Sequence, residues 1–237
     1  MRKFLITIAV LVVLLVAVDF GARAYAEYRA AQAIQTELGL AGSPDVSIEG
    51  FPFLWHAIQG SYPQVIVSTG SVDEGRLPGT QARVTLTTVA MPLRDAVAGD
   101  TSHLTAQATN LQVVIPISAL QAALPRPDVT LSAGPNGTLQ AGTTLTVLGV
   151  AIPVTGSARL SVANDELTLT VDNLSAAGID LTQAAQQAAS AVASGLTTTI
   201  PLVGLPFTVT GGDVQTSGGD VVITVDTGPV TFQELRR

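Results

Sequence analysis

The stretch Arg83-Val84-Thr85-Leu86-Thr87-Thr88-Val89-Ala90 decides the fold class of this chain. Val84, Leu86, Thr88 and Ala90 recur with a period of two, and polar side chains stand between the first three of them. Successive side chains of a strand point to opposite faces of a sheet. The alternation therefore predicts a strand with one buried and one solvated face, and the many threonines suit the solvated one.

The same period of two recurs along the rest of the chain. It appears at Leu145 and Val147, at Leu167, Leu169 and Val171, and at Val221, Ile223 and Val225. Turn-forming pairs such as Asn164-Asp165 and Gly211-Gly212 separate these runs. Short alternating runs divided by turns predict an antiparallel, meander-like sheet.

Helical patterns interrupt the strands. Residues 22–38 contain neither proline nor glycine and are rich in Ala, Glu, Gln and Arg, which predicts a long helix. Ser118 can cap a short helix over residues 118–124, and Asp180 can cap a longer one over residues 180–195. The predicted fold class is α+β: a curved antiparallel β-sheet packed with a long N-terminal helix and one or two further helices.

The N-terminus has the form of an export segment. Residues 1–3 carry positive charge, and residues 4–18 contain no charge and no helix breaker until Asp19 interrupts the run. Such a start is typical of a secretory signal or a membrane anchor. Small residues at either end of 22–24 and of 24–26 fit a cleavage site. Both the cleaved and the anchored form are consistent with these features.

The helix that follows favours the anchored form. We treat residues 1–21 as the signal or anchor segment and residues 22–237 as one α+β domain. The helix over residues 22–38 continues the apolar run, so that a retained segment would hold the domain at the membrane surface. The positive end is expected in the cytoplasm, which predicts a cell-membrane protein whose domain lies on the extracytoplasmic, periplasmic side.

Composition excludes several classes of function. The chain of 237 residues has a formal net charge of −7, no cysteine, and a single lysine, Lys3. Nucleic-acid binding requires clustered Lys and Arg to neutralise phosphates, so a nucleic-acid partner is not expected. Without cysteine there are no disulfides and no thiolate metal sites, so an exported domain must be stable through its apolar core.

Residues for catalysis are scarce. His56 and His103 are the only histidines, and their spacing fits none of the common zinc motifs. No phosphate-binding loop and no nucleophile elbow are present. The acidic pairs Asp73-Glu74 and Asp165-Glu166 lie in polar turns, where neighbours point apart. We therefore expect no enzyme activity, no catalytic residues, no cofactor and no metal.

Aromatic residues are concentrated in one segment. The stretch Val46-Ser47-Ile48-Glu49-Gly50-Phe51-Pro52-Phe53-Leu54-Trp55-His56 holds the only tryptophan and two of the six phenylalanines, and Tyr62 follows. Its prolines and glycines predict a shaped loop rather than a regular strand. The aromatics either fill one end of the sheet core or form an aromatic-lined mouth or membrane-contact surface.

This segment resembles the signature of the LmeA-like phospholipid-binding proteins of actinobacteria. The similarity rests on Ile48-Glu49-Gly50-Phe51-Pro52-Phe53-Leu54, on Gly60 with the strand Val65-Ile66-Val67, and on Leu202-Val203-Gly204-Leu205-Pro206-Phe207. The resemblance implies an envelope protein that binds phospholipid and supports the assembly of mannose-bearing lipids such as lipomannan. Its implied partners are phospholipid, the membrane and envelope glycolipid-assembly enzymes. The predicted curved sheet is similar in architecture to the tubular lipid-binding folds.

The candidate lipid-binding residues come from these motifs and their neighbours: Phe51, Phe53, Leu54, Trp55, Tyr62, Leu205 and Phe207. A sheet rich in Val, Leu and Thr can leave a hydrophobic groove for an acyl chain, and burying such a chain contributes about 0.8 kcal/mol per methylene. Arg76, Arg83 and Arg126 are candidates for headgroup contact.

The leading hypothesis from the sequence is a membrane-tethered envelope protein that binds phospholipid in a hydrophobic groove. The alternative is a non-catalytic envelope scaffolding domain that binds another protein. The alternative predicts a filled core and an exposed apolar patch instead of a lipid cavity.

Overall fold

The computed structural model describes residues 2–38, 40, 42–70, 77–98, 103–124, 128–134, 138–147, 150–163, 166–176, 198–201 and 211–231. Its helices are α1 (Arg2–Leu38), α2 (Phe53–Gln59), α3 (Leu93–Ala98) and α4 (Ile117–Ala123). Its strands are β1 (Asp45–Glu49), β2 (Ser61–Ser68), β3 (Gln81–Ala90), β4 (Thr105–Pro116), β5 (Thr130–Ala133), β6 (Leu139–Val147), β7 (Val150–Ala163), β8 (Glu166–Ala176), β9 (Thr198–Pro201), β10 (Asp213–Ser217), β11 (Asp220–Thr227) and β12 (Val230–Thr231).

The strands form two antiparallel sheets. With the long N-terminal helix and the short helices, this architecture confirms the predicted α+β class and fits a curved antiparallel sheet. The chain divides into two compact units. The first takes its residues from 1–70, 83–111 and 226–237, and the second from 71–82 and 112–225.

The first unit contains the strand order β1-β2-β3-β4, with β12 paired to β4. In β1 and β2, Val46 lies opposite Val67 and Ile48 opposite Val65. The core of this unit is a cluster of buried apolar side chains at the end of the sheet where α2 lies: Phe53, Ala57, Tyr62, Val89 and Ala106. The short helix α2 therefore belongs to the core of the first unit.

The predicted strand is confirmed as β3, but the buried face predicted for its end is wrong. The sequence places Thr88 and Ala90 on the same face as Leu86, but both are exposed, and Val89 is buried instead. The reason is that Thr88 has a left-handed backbone, with φ 51°. The register pairs Val89 with Tyr62 and Thr87 with Gln64, and it skips Thr88 and the residue opposite, Pro63, which has no N–H to donate. The irregularity turns the strand so that Val89 packs into the core.

The second unit contains a five-stranded meander in the order β5-β6-β7-β8-β9 and the hairpin β10–β11. The alternation predicted for β8 and β11 is confirmed, whereas the side chains of Leu145 and Val147, the run predicted in β6, lie outside the described residues. The apolar residues of the two predicted runs are all buried: Leu167, Leu169, Val171, Val221, Ile223 and Val225. The register of β7 against β8 shifts between Thr155 and Ser157, which marks a β-bulge.

The predicted helices have different outcomes. The helix over residues 22–38 is confirmed as part of α1, which runs without interruption from Arg2. The short helix α4 begins at Ile117, one residue before the predicted Ser118 start, and its N-cap is Pro116, whose side chain has no hydrogen donor or acceptor. The predicted helix over residues 180–195 lies outside the described residues.

The left-handed Thr88 gives a first testable prediction. A β-branched residue at positive φ is strained by about 1–2 kcal/mol, and asparagine tolerates this backbone better. Thr88→Asn should therefore raise the free energy of unfolding by about 1 kcal/mol, measured by urea denaturation of the full chain in micelles. The matched control is the neighbouring exposed Thr87→Asn, which should lower it because asparagine is unfavourable in regular strands. Equal losses in both variants would contradict the assignment of strain.

Candidate functional site

A tight turn precedes α2 and requires a glycine. Gly50 has φ 122°, and a Cβ atom there would lie 2.9 Å from Cδ2 of His56. The ring of His56 is itself held in place, because its Nδ1 lies 3.0 Å from the carbonyl oxygen of Ser61. The peptide bond between Phe51 and Pro52 is cis. This packed turn aims the chain into α2.

The predicted loop for the aromatic segment is wrong in part, because Phe53, Leu54 and Trp55 lie on α2. The density of proline and glycine obscured the helix in the sequence. Pro52 is the N-cap, a place where the missing N–H has no consequence, and Gly60 ends the helix in the left-handed conformation. Pro52 and Gly60 therefore lie at the two ends of a seven-residue helix, and neither interrupts it.

The N-terminus of α2 is capped by a side chain from α1. The first N–H groups of a helix have no partner within it, and Pro52 supplies no side-chain cap. Phe53 donates its N–H to Oδ2 of Asp19 at 2.9 Å, and Leu54 donates to Oδ1 at 2.8 Å. Asp19 is only 5 % exposed. One buried carboxylate therefore joins α1 to the aromatic segment.

The next turns of α1 hold β1. Oε1 of Glu27 accepts the N–H of Ile48 at 2.8 Å and also pairs with Nε of Arg23 at 2.8 Å. Arg23 in turn donates through Nη2 to Oγ of Ser47 at 3.2 Å, and lies 3.6 Å from the carboxylate of Glu49. These contacts make the polar turns of α1 part of the folded first unit.

The two sides of α2 face different surroundings. Phe53 and Ala57 are buried, and the ring of Phe53 packs against Tyr62 with a centroid distance of 6.1 Å. Burial raises the pKa of Tyr62 above its usual value of 10. Trp55 and Ile58, one turn apart on the opposite side, are 58 % and 71 % exposed. The helix is thus apolar both inward and outward.

The outward side of α2 belongs to an exposed apolar surface, which we call the interfacial patch and define as Phe51, Trp55, Ile58 and Leu93. Phe51 and Leu93 are 62 % and 43 % exposed. The ring of Phe51 lies 6.2 Å from that of Phe20 on α1, which is also exposed. The patch is therefore continuous with the apolar surface of α1.

An open pocket of about 490 Å³ borders the patch. Ile58, Met91 and Leu93 give it apolar walls, and Arg94 and His103 give it a polar side. Asp95 holds both of these, with Oδ1 at 3.0 Å from Nε of Arg94 and Oδ2 at 3.2 Å from Nδ1 of His103. A guanidinium beside apolar walls is suited to the phosphate of an amphiphile.

The structure separates the predicted lipid-binding residues. Phe51 and Trp55 are exposed in the patch, whereas Phe53 and Tyr62 fill the core and Leu54 packs half-buried against it. Leu205 and Phe207 lie outside the described residues, as do Arg76 and Arg126. Arg83 is exposed on β3. Within the described part of the chain, no group of three His, Cys, Asp or Glu side chains is placed to hold a metal ion.

Sequence reasoning missed the roles of Asp19, Leu93 and Arg94. The sequence pattern marks Asp19 only as an interruption of the apolar run. A signal was available, because a carboxylate inside an export segment is unfavourable unless it finds a partner. Leu93 and Arg94 lie on α3, for which no helix was predicted.

Residues 17–226 match the family model of the LmeA-like phospholipid-binding proteins. The chain belongs to the LmeA-like phospholipid-binding family. This confirms the resemblance that the Gly50–Leu54 motif indicated, and membership supports lipid binding as the function. The match begins inside α1, two residues before Asp19, so the capping carboxylate lies within the family region. No curated protein and no solved structure shows a significant match to the chain.

The Asp19 cap gives the second prediction. Asp19→Ala leaves two helix N–H groups without their acceptor and should lower the free energy of unfolding by about 2 kcal/mol. Asp19→Asn keeps one acceptor oxygen and should lower it less. The measurement is urea unfolding of the full chain in micelles, with the exposed Asp45→Ala as the matched control. A loss no greater for Asp19→Ala than for Asp45→Ala would contradict the capping role.

Proposed function

We propose that this protein is a membrane-tethered phospholipid-binding protein of the cell envelope, with α1 retained as its anchor. The observation that carries the proposal is the family match over residues 17–226. Two structural features support it: an apolar N-terminal helix joined to the domain, and an open pocket with apolar walls and a polar side that contains Arg94. The proposal assigns binding to the protein and no catalytic step.

The anchor is proposed from the length and packing of α1. Residues 2–36 form a helix long and apolar enough to cross a membrane, and almost none of its most apolar window is buried. Cleavage after Ala24 or Ala26 would remove Asp19 and Arg23, which hold α2 and β1. Because the domain uses these side chains for its own contacts, retention of the segment is favoured over its removal.

The proposed orientation follows from charge. Arg2 and Lys3 precede the apolar run, and basic residues at the end of a membrane segment favour the cytoplasmic side. The domain that follows α1 is then on the extracytoplasmic side. There it has access to the outer leaflet of the membrane and to enzymes that assemble envelope glycolipids, in line with the support of lipomannan assembly that the family resemblance implies.

The pocket beside α3 is the proposed site for the headgroup end of the lipid. Its volume lies in the range of about 300–1,000 Å³ that is usual for small-molecule sites. Arg94 is 81 % exposed at the pocket and can meet a phosphate with its guanidinium. Ile58 and Leu93 offer apolar contact to the first methylenes of an acyl chain, each worth about 0.8 kcal/mol when buried.

Lipid capture tests the function directly. The full chain, purified from membranes and exchanged into a lipid-free detergent, should carry phospholipid that mass spectrometry detects, and should take up phospholipid again from vesicles. Arg94→Ala should lower this uptake several-fold because the phosphate loses its cationic partner. Arg159→Ala, the removal of an exposed arginine on β7, is the matched control and should leave uptake unchanged. A protein that carries no lipid and takes up none would overturn the proposed function.

The mature N-terminus tests the anchor separately. N-terminal sequencing, or the intact mass of the protein isolated from membranes, should show a chain that still contains residues 1–26. A mature chain that begins at residue 25 or 27 would show that the segment is a cleaved signal, and lipid binding would then have to be explained without a tether.

A further inference from the structure

The length of α1 fixes the level at which the domain meets the bilayer. From Phe4 to Phe20 the helix rises about 24 Å at 1.5 Å per residue, and the hydrocarbon core is about 30 Å thick. Arg23 and Glu27, one and two turns later, are engaged with β1. When residues 4–20 occupy the membrane, Phe20 lies close to the boundary between acyl chains and headgroups.

The first turn of α2 lies at the same level. The two hydrogen bonds from Phe53 and Leu54 to Asp19, at 2.9 and 2.8 Å, hold it against the turn of α1 that contains Phe20. The ring of Phe51, 6.2 Å from that of Phe20, continues the apolar surface sideways from the helix. The aromatic segment therefore begins where α1 leaves the hydrocarbon.

The exposed apolar residues are concentrated at this level. Outside α1, the large apolar side chains that are strongly exposed in the described part of the chain are the four of the interfacial patch. Phe51 contacts Phe20, Trp55 and Ile58 share one side of α2, and Leu93 lines the same pocket as Ile58. Tryptophan and neighbouring apolar side chains are typical of surfaces that lie in the interfacial zone of a bilayer.

We propose that Phe51, Trp55, Ile58 and Leu93 insert into the boundary between headgroups and acyl chains of the leaflet from which α1 emerges. This inference rests on the retention of α1 proposed above, and it adds an interaction surface to it. Ile58 and Leu93 belong to both the patch and the pocket wall, so docking brings the pocket against the lipids. A phospholipid can then pass from the leaflet to the protein without crossing water.

The single tryptophan of the chain makes the test direct, because Trp55 is its only source of indole fluorescence. The full chain is reconstituted in phosphatidylcholine–phosphatidylglycerol vesicles that contain lipids brominated at a shallow or at a deep acyl position. Docking predicts a blue-shifted Trp55 emission, with quenching by the shallow label several-fold stronger than by the deep one.

A matched pair of variants separates docking from anchoring. Ile58→Asp adds one negative charge at an exposed patch position and should remove most of the quenching. Gly70→Asp adds the same charge two residues beyond the end of β2. The patch lies next to the start of this strand, which is about 23 Å long. A Cβ atom at Gly70 meets no neighbour. In this variant the lipid labels should quench the Trp55 emission as strongly as in the unaltered chain. Both variants should still float with the vesicles, because α1 is unchanged.

Three results would overturn the inference. Emission typical of water-exposed indole in a chain that floats with the vesicles refutes docking and leaves the anchor in place. A shielded Trp55 that no lipid label quenches shows that protein, not lipid, covers the patch. Failure of the unaltered chain to float refutes the anchor, and the docking inference with it.

Discussion

The buried carboxylate of Asp19 accepts the first two N–H groups of α2, and the rest of the site depends on this contact. A short helix with a proline N-cap has no acceptor of its own for these donors. Because the acceptor comes from Asp19 of α1, the position of the aromatic segment is fixed relative to the apolar helix. Glu27 extends the attachment to β1, because its carboxylate accepts the N–H of Ile48 and also forms a salt bridge with Arg23.

This attachment gives one segment two tasks. Residues 4–18 of α1 carry no charge and are almost all exposed, which is compatible with a membrane segment, while the turns after Asp19 are polar and hold the first unit. Phe51 and Trp55 are then presented outward beside the end of the apolar run, and Phe53 and Tyr62 are left to fill the core. The aromatic segment thus combines the two alternatives that its composition left open: part of it fills the core, and part of it forms an apolar surface.

Patterns in the sequence were sufficient for the class of fold, since alternation at Leu167, Leu169 and Val171 requires only one buried face. They failed at Thr88, where a left-handed residue opposite Pro63 moved Val89 into the core. They failed again at α2, whose cap comes from a residue more than thirty positions away. Local propensity cannot register such a partner. The family motif located the aromatic segment correctly, but the pocket beside Arg94 combines residues from distant parts of the chain that share no sequence pattern.

The central claim is that α1 and the aromatic segment form one folded piece. Amide hydrogen exchange at Phe53 and Leu54, in the unaltered full chain held in lipid, tests it most directly. The account predicts that these two amides exchange as slowly as those of β4, a strand paired on both sides in its sheet, because both donate to a buried carboxylate. Exchange at the rate of open, water-exposed amides would show that α1 does not cap α2, and would contradict the account.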